Sequence, residues 1–253
     1  MMKGSRSLAW AGKFLTLAVF GGLWQLAAGF YTPEQLPGPL QVLNGIEELA
    51  DSGVLWEHIQ VSLLRFSISY VLAVLVTVPL GLLLGWHSWS WQALDPLIQI
   101  LRPISPIAWF PLAVLWFGIG NAPAVFIIFL SAFFPILLAT VSAVRSVDRL
   151  YLRVARNFGV SRWSMFTKVV IPAAFPQIMI GLHIAVGTAW IHLVAGEMLG
   201  AQSGLGYLIV DSRNFLRTDW IIGGMLLVGL LGLAIHFLMG WAEKLINRRW
   251  GME

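Results

Sequence analysis

Three titratable side chains sit in or at the end of one long apolar run: His183, His192 and Glu197. Imidazoles and a carboxylate are metal-ligand chemistry. A helix that binds metal pairs its ligands at i and i+4. The two histidines are nine residues apart, which at about 100° per residue sets them on opposite faces of a helix. That spacing argues against a shared ion. Elsewhere no nucleophile stands beside a base, and the chain has no cysteine, so thiolate sites and disulfides are excluded. "GLGYLI" and "GGLWQLAAG" resemble glycine-rich phosphate loops but lack the lysine such loops need. These residues predict no catalysis in this chain and no cofactor or metal of its own.

The remaining concentration of polar chemistry is "RVARNFGVSRWSMFTKVVIP", residues 153–172. It holds Arg153, Arg156, Arg162 and Lys168 without an acid, just after Arg145 and Arg149. Around it the chain is mostly hydrocarbon. Of 253 residues 58% are hydrophobic and 11% charged, against about 25% charged in soluble domains. Mean hydropathy is +0.80. Such a chain is an all-α integral membrane protein. Its net charge of +4 does not imply nucleic-acid binding, because the basic residues flank apolar runs instead of forming one wet face.

A membrane helix needs about 20 apolar residues. Uncharged runs cover 14–33, 66–94, 103–144, 169–196 and 220–242. The run of 42 residues contains "GIGNAP" (118–123), a dense turn signal that splits it in two. Asp95 and Pro96 suit a helix start, as N-cap and first-turn residue. Six spans are therefore predicted, at about 14–32, 62–85, 96–117, 123–143, 172–196 and 220–242. Tails at 1–13 and 247–253 bracket one transmembrane domain over 14–246.

Six spans put both termini on one side. That side holds 12 of the 16 Lys and Arg residues. The positive-inside rule makes it cytoplasmic, with the central loop at about 145–171. The loop at about 31–58 has no Lys or Arg and five acids, so it is external. Within it Val42, Ile46 and Leu49 have helical spacing and predict a short helix along the outer surface. The first run also has features of a cleaved signal peptide, but its length and the even span count favour a retained anchor.

The central loop has more structure than topology requires. Val154 and Phe158 are four apart, Trp163 and Phe166 three apart, so each pair shares a helical face. The segment reads as two short helices meeting at Gly159, presenting aromatic and basic side chains to a partner protein.

With Ala155, Gly159 and Pro172 at their spacing, this loop resembles the cytoplasmic E-A-A, three residues, G, nine residues, I-x-L-P motif of membrane permease subunits of binding-protein-dependent bacterial ABC importers. Arg153 stands where the motif has Glu, Val154 for Ala, Val169 for Ile and Ile171 for Leu. "LDPLIQILRPISPIAWFPLAVLWFGIG", "HLVAGEMLGAQSGLGYLI" and "FLRTDW" are similar to the subfamily importing nitrate, bicarbonate, taurine and alkanesulfonates. The resemblance covers about 55–245. It implies a type I ABC importer permease fold in the bacterial cytoplasmic (inner) membrane and a homodimer in the lipid bilayer. It also implies two cytoplasmic ATP-binding subunits that carry ATP and Mg, and an external solute-binding protein. The ATPase-coupling residues it implies are Arg153, Ala155, Phe158, Gly159, Val160, Ser161, Trp163, Phe166 and Pro172. A stand-alone channel or an integral membrane enzyme is the competing reading; it needs converging ionisable groups that the sequence does not offer.

Pro96, Pro103, Pro106 and Pro111 punctuate the third span. Each removes a helix hydrogen bond, and in a bilayer the freed carbonyls must face neighbours or a cavity. A distorted, path-lining helix is expected, and the path residues are Arg102, Pro103, Ser105, Pro106, Trp109, Phe110 and Glu197. Arg102 either attracts an anion or reaches to the interface. A carboxylate is a poor anion ligand, so Glu197 is expected to pair with a nearby donor or to serve a gate.

Overall fold

Long apolar runs become long helices because every backbone polar group inside a bilayer must be satisfied within the segment. A computed structural model describes the backbone of residues 3–249 and the side chains of residues 12–246. In chain order the helices are α1 (Lys3–Ala28), α2 (Pro39–Asp51), α3 (Val54–Trp86), α4 (Ser88–Leu101) and α5 (Phe110–Phe117). They continue with α6 (Asn121–Arg145), α7 (Arg149–Asn157), α8 (Arg162–Met165), α9 (Ile171–Gly200), α10 (Leu205–Asn214) and α11 (Thr218–Arg249). No strand occurs among the described residues. Most of the predicted tails at 1–13 and 247–253, with Lys3, Arg6, Arg248 and Arg249, lies outside the described side chains.

Among the described residues four helical stretches are long and apolar enough to cross a membrane: Val54–Trp86, Asn121–Arg145, Arg162–Gly200 and Thr218–Ile246. Ser88–Leu101 and Pro106–Phe117 together form a fifth, bent by 85°. The third span, expected at about 96–117 as one distorted helix, is two helices set across this bend. Asp95 and Pro96 do not start a helix either; both lie inside α4, where Asp95 accepts from Gln99 at 3.1 Å. Proline lacks a backbone N–H and clashes one turn back. Pro103 and Pro106 impose this twice within four residues, so the chain breaks after Arg102 and restarts through a 3-10 turn at Pro106–Trp109. The first predicted span falls on α1, described in side chains only from residue 12.

α6 lies between α3 and α9 and supplies much of the core, with Ile127, Ile128, Ala132, Ile136 and Leu137 buried. Small residues let the backbones approach. A Cβ added at Gly81 would lie 2.6 Å from Thr140 Cβ, and one at Gly85 2.7 Å from Val144 Cβ. Gly181 of α9 meets Ala139 on the opposite flank of α6. Gly223 and Gly224 of α11 play this part against Ile46 and Ile209, and Gly232 against Trp190; Gly229 faces open space. Outward sides of α1, α3 and α11 expose Leu, Val and Phe, as a lipid-facing surface does.

The predicted outer helix is α2, with Val42, Gly45 and Leu49 buried against its neighbours. Gln41 caps its start by accepting from Gly38 N–H at 2.8 Å. Arg217, in the α10–α11 turn beside Leu216 (φ 55°), holds α2 in place. It donates to Glu48 at 2.5 Å and Asp219 at 2.7 Å, and its guanidinium stacks 4.0 Å from the Trp220 ring centre. The hydrogen bond from Arg217 holds the Glu48 carboxyl below its ordinary value of 4.5.

Gly81→Val is expected to destabilise the α3–α6 contact by about 1–3 kcal/mol, the usual cost of overpacking. Thermal unfolding in detergent checks it, with Gly229→Ala as a control that does not lower Tm. A second expectation concerns pH. A carboxyl depressed in the fold stabilises above its unfolded pKa and loses that contribution as pH falls through the folded value. The protection factors of α2 amides, which are exchange rates corrected for the intrinsic fall with pH, should therefore decrease as pH drops from about 6 to about 3. Glu48→Gln should show the lowered protection already at the higher pH.

Candidate functional site

Three groups of residues require placement: the central elbow, the surroundings of Glu197, and the broken α4–α5 segment. In the elbow, Asp148 caps α7 by accepting from Leu150 N–H at 2.8 Å. α7 ends at Gly159, which has φ +70°. Its N–H bonds Arg156 O at 3.0 Å and Val160 N–H bonds Ala155 O at 3.1 Å. A left-handed residue with these closing bonds is how a glycine stops a helix, and it explains the glycine at 159. Ser161 then caps α8, accepting from Ser164 N–H at 3.2 Å.

The elbow is therefore two short helices about Gly159, and it presents Phe158 and Trp163 at 83% and 73% exposure. Arg153 is also exposed and has no partner among the described residues. Phe166 differs from the expected outward knob. It is buried, 5.4 Å from the Trp86 ring. Pro172 does not mark the start of a new helix. α8 runs into α9 through a π-helical turn at Phe166–Val170, where Ile171 N–H reaches back to Phe166 O. An inserted wide turn accommodates the carbonyl that Pro172 cannot bond. Helix is thus continuous from Arg162 to Gly200, and the elbow is joined directly to α9.

Glu197, near the far end of α9, is 0% exposed, and Arg65 of α3 is 3% exposed. The Arg65 guanidinium pairs with the carboxylate. Ser62 Oγ lies 2.9 Å from both carboxylate oxygens, and Gly206 N–H donates at 2.9 Å. Arg65 also donates to Asn121 Oδ1 at 2.5 Å and Ser203 O at 3.2 Å. Ser62 Oγ accepts from Leu205 N–H at 2.8 Å, and His58 Nδ1 from Gly204 N–H at 2.9 Å. One carboxylate thus ties together α3, α6, α9 and the positive start of α10, where orphan N–H groups favour an anion. Gly204, at φ +111°, and Gly206 are both required here: a Cβ on either would run into Glu197. With both its oxygens engaged, Glu197 has no face open to a solute.

Sequence reasoning missed Ser62, Arg65, Asn121, Gly204 and Gly206. A signal was present: Ser62 and Arg65 are one helical turn apart, and Arg65 is the single charge between Glu57 and Asp95. Of the path residues, Arg102 and Pro106 line a 270 Å³ cavity together with Thr188 and His192. Pro103 and Ser105 lie in the break between the two helices, Phe110 packs on Gly200, and the Trp109 indole N–H is buried without a partner among the described residues. The structure does not bring Glu197 to that cavity. His183 and His192 diverge. His183 turns to α11, meeting His236 at 2.9 Å and Glu243 at 3.2 Å, whereas His192 bonds Thr188 O at 2.8 Å. Among the described residues no group of three or more His, Asp or Glu is placed to hold a metal ion.

Arg65→Ala is expected to cost about 3–5 kcal/mol, because it leaves a carboxylate buried and unpaired. The double variant Arg65→Met with Glu197→Leu should lose less than Arg65→Ala alone. Unfolding of the purified chains in detergent checks both.

These features agree with what the chain is similar to. It is 34% identical over 241 residues to a taurine transport system permease protein of Escherichia coli strain K12, covering 92% of this chain and 86% of that one. It is 34% identical over 244 residues to a nitrate import permease protein of Synechococcus elongatus, covering 91% and 88%. A solved structure of the MetNI methionine ABC transporter in an inward-facing conformation superposes with TM-score 0.66 at 19% identity, over 79% of this chain and 98% of that one. The shared fold is that of a type I ABC importer permease. The family described as "binding-protein-dependent transport system inner membrane component" matches residues 77–252. The chain belongs to that family: it is an inner-membrane permease component of an ABC transporter.

Proposed function

We propose that two copies of this chain form the gated path of an ATP-driven importer for a small anion. One transmembrane domain, over residues 14–246, carries the path, with both termini and the elbow in the cytoplasm. Two cytoplasmic ATPase subunits bind the elbows and supply ATP and Mg; an external binding protein delivers the solute. Relatives that carry taurine or nitrate support the substrate range, which also includes bicarbonate and other sulfonates.

The observation that carries this reading is the elbow. Exposed Phe158 and Trp163 flank Gly159, and α8 runs without a break into α9. Exposed aromatics on a rigid turn are the kind of anchor a partner's cleft takes up. Arg153, Ala155, Val160 and Ser161 set the shape and charge of the surface; Phe166 and Pro172 join it to α9. Approach of the ATPases on nucleotide binding moves the elbow, and α9 moves with it. The α4–α5 break, with Arg102, Pro103, Ser105, Pro106, Trp109 and Phe110, lies beside α6 and α9 and senses that motion. Glu197 acts as a latch beside the path, holding α3, α9 and α10 together. Two conformations with different affinity for the binding protein and for the nucleotide-bound ATPases then give alternating access.

The test is Phe158→Ala with Trp163→Ala, and separately Gly159→Arg. Each is expected to weaken ATPase co-purification at least tenfold, as loss of an interface anchor does, and to abolish uptake into proteoliposomes while the permease stays folded. ATPase association and uptake at wild-type levels in both variants would reject the coupling assignment.

A further inference from the structure

The 270 Å³ cavity between the α4–α5 bend, α6 and α9 has an asymmetric lining. Its one cation is Arg102, exposed, with no hydrogen bond or ion pair among the described residues. The other polar groups on its wall have spent their protons on the backbone. Ser131 Oγ–H donates to Ile128 O at 2.7 Å and Thr188 Oγ–H to Ala185 O at 3.0 Å. His192 Nδ1 lies 2.8 Å from Thr188 O, which can only accept, so a proton sits on Nδ1, and when the ring is neutral its lone pair is on Nε2. The cavity therefore offers donors from Arg102 and acceptors from Ser131, Thr188 and His192. Phe134 and Leu138 give it an apolar wall.

That pattern selects among small anions. Nitrate and bicarbonate bring no cation for the acceptors and no hydrocarbon for the wall. A plain alkanesulfonate satisfies Arg102 and the wall but leaves the acceptors without a donor. A short zwitterion satisfies all three: an anionic head on the guanidinium, two or so methylenes along Phe134 and Leu138, and an ammonium toward His192 and the hydroxyl oxygens. Bidentate guanidinium recognition suits the oxygens of a sulfonate. The volume, just below the roughly 300 Å³ at which drug-sized pockets begin, suits a molecule of few heavy atoms. We propose that this cavity is a membrane-depth binding site of the permease itself and that its ligand is a small aminosulfonate. The inference rests on the path reading above and adds selectivity within the permease.

The chain has no cysteine, so Leu138→Cys introduces the permease's only thiol. In the full transporter reconstituted in nanodiscs, the labelling rate of that thiol by a methanethiosulfonate reagent is measured with taurine, ethanesulfonate or nitrate. Taurine is expected to slow labelling about tenfold, the worth of a charge-assisted hydrogen bond, ethanesulfonate less, and nitrate not at all. Adding Arg102→Gln should remove protection by both sulfonates. Adding His192→Phe should reduce taurine to the level of ethanesulfonate. In proteoliposomes Arg102→Gln should raise the KM for taurine uptake about tenfold, as loss of a hydrogen bond to a charged group does. Protection and KM unchanged by Arg102→Gln would overturn the site and leave Arg102 as an interfacial anchor. Protection by nitrate equal to that by taurine would overturn the ligand class. A wild-type complex that fails to assemble, or imports nothing with ATP, would instead overturn the proposed function, so the two failures are distinct.

Discussion

A buried carboxylate among membrane helices is the constraint on which one half of this structure depends. Glu197 has no solvent, and an isolated charge there is too costly to persist. Its stabilisation comes from Arg65 and Ser62 on α3 and from the Gly206 amide at the start of α10. Satisfying one charge therefore sets where α3, α9 and α10 stand. Arg65 extends the constraint to α6 through Asn121. The two glycines, at 204 and 206, follow from the same need, since the backbone must close on the carboxylate from one side. A network of this kind is specific before it is stabilising: an apolar replacement can pack as well, but it does not hold four elements in one register.

The opposite end is organised by backbone limits. Gly159 ends α7 in a left-handed turn, and a π-turn before Pro172 keeps α8 and α9 one helix. In α4–α5 prolines have the other effect, because two of them fall in four residues with no room to widen the helix between them. Pro172 is absorbed and leaves the helix continuous, whereas Pro103 and Pro106 break the span and leave a bend of 85°. The same residue type thus continues a helix in one place and forms a cavity wall in another. Trp86 and Trp91 bridge these parts, Trp86 against Phe166 and Trp91 under the Arg145 guanidinium, 5.7 Å from its ring centre.

Much of the architecture was legible in the chain. The all-helical membrane class follows from composition, because a chain so poor in charge finds no alternative to lipid burial. The ends of α6 near "GIGNAP" and the basic loop, the short helix α2 and the two-helix elbow about Gly159 follow from local signals: turn glycines, helical spacing and caps. Such signals act over a few residues and are therefore visible in one dimension. The bend at 102–105 was only partly legible. Proline predicts distortion, but its angle depends on how α6 and α9 pack against the two halves.

What sequence alone determined is the membrane class, the positions of most long helices, the elbow and the family motif it carries. Tertiary structure decided which charges meet. Arg65 and Glu197 are 132 positions apart, Arg217 and Glu48 are 169 apart, and neither pair has a local signature. It also turned Phe166 inward and separated Glu197 from Arg102, placing His192 and Thr188 beside Arg102 instead. The physical reason is common to all of these. A side chain's helix face is set by periodicity over a few residues, but its partner is set by which helices pack together. That packing is chosen by close approach of small residues and by the need to satisfy every buried polar group.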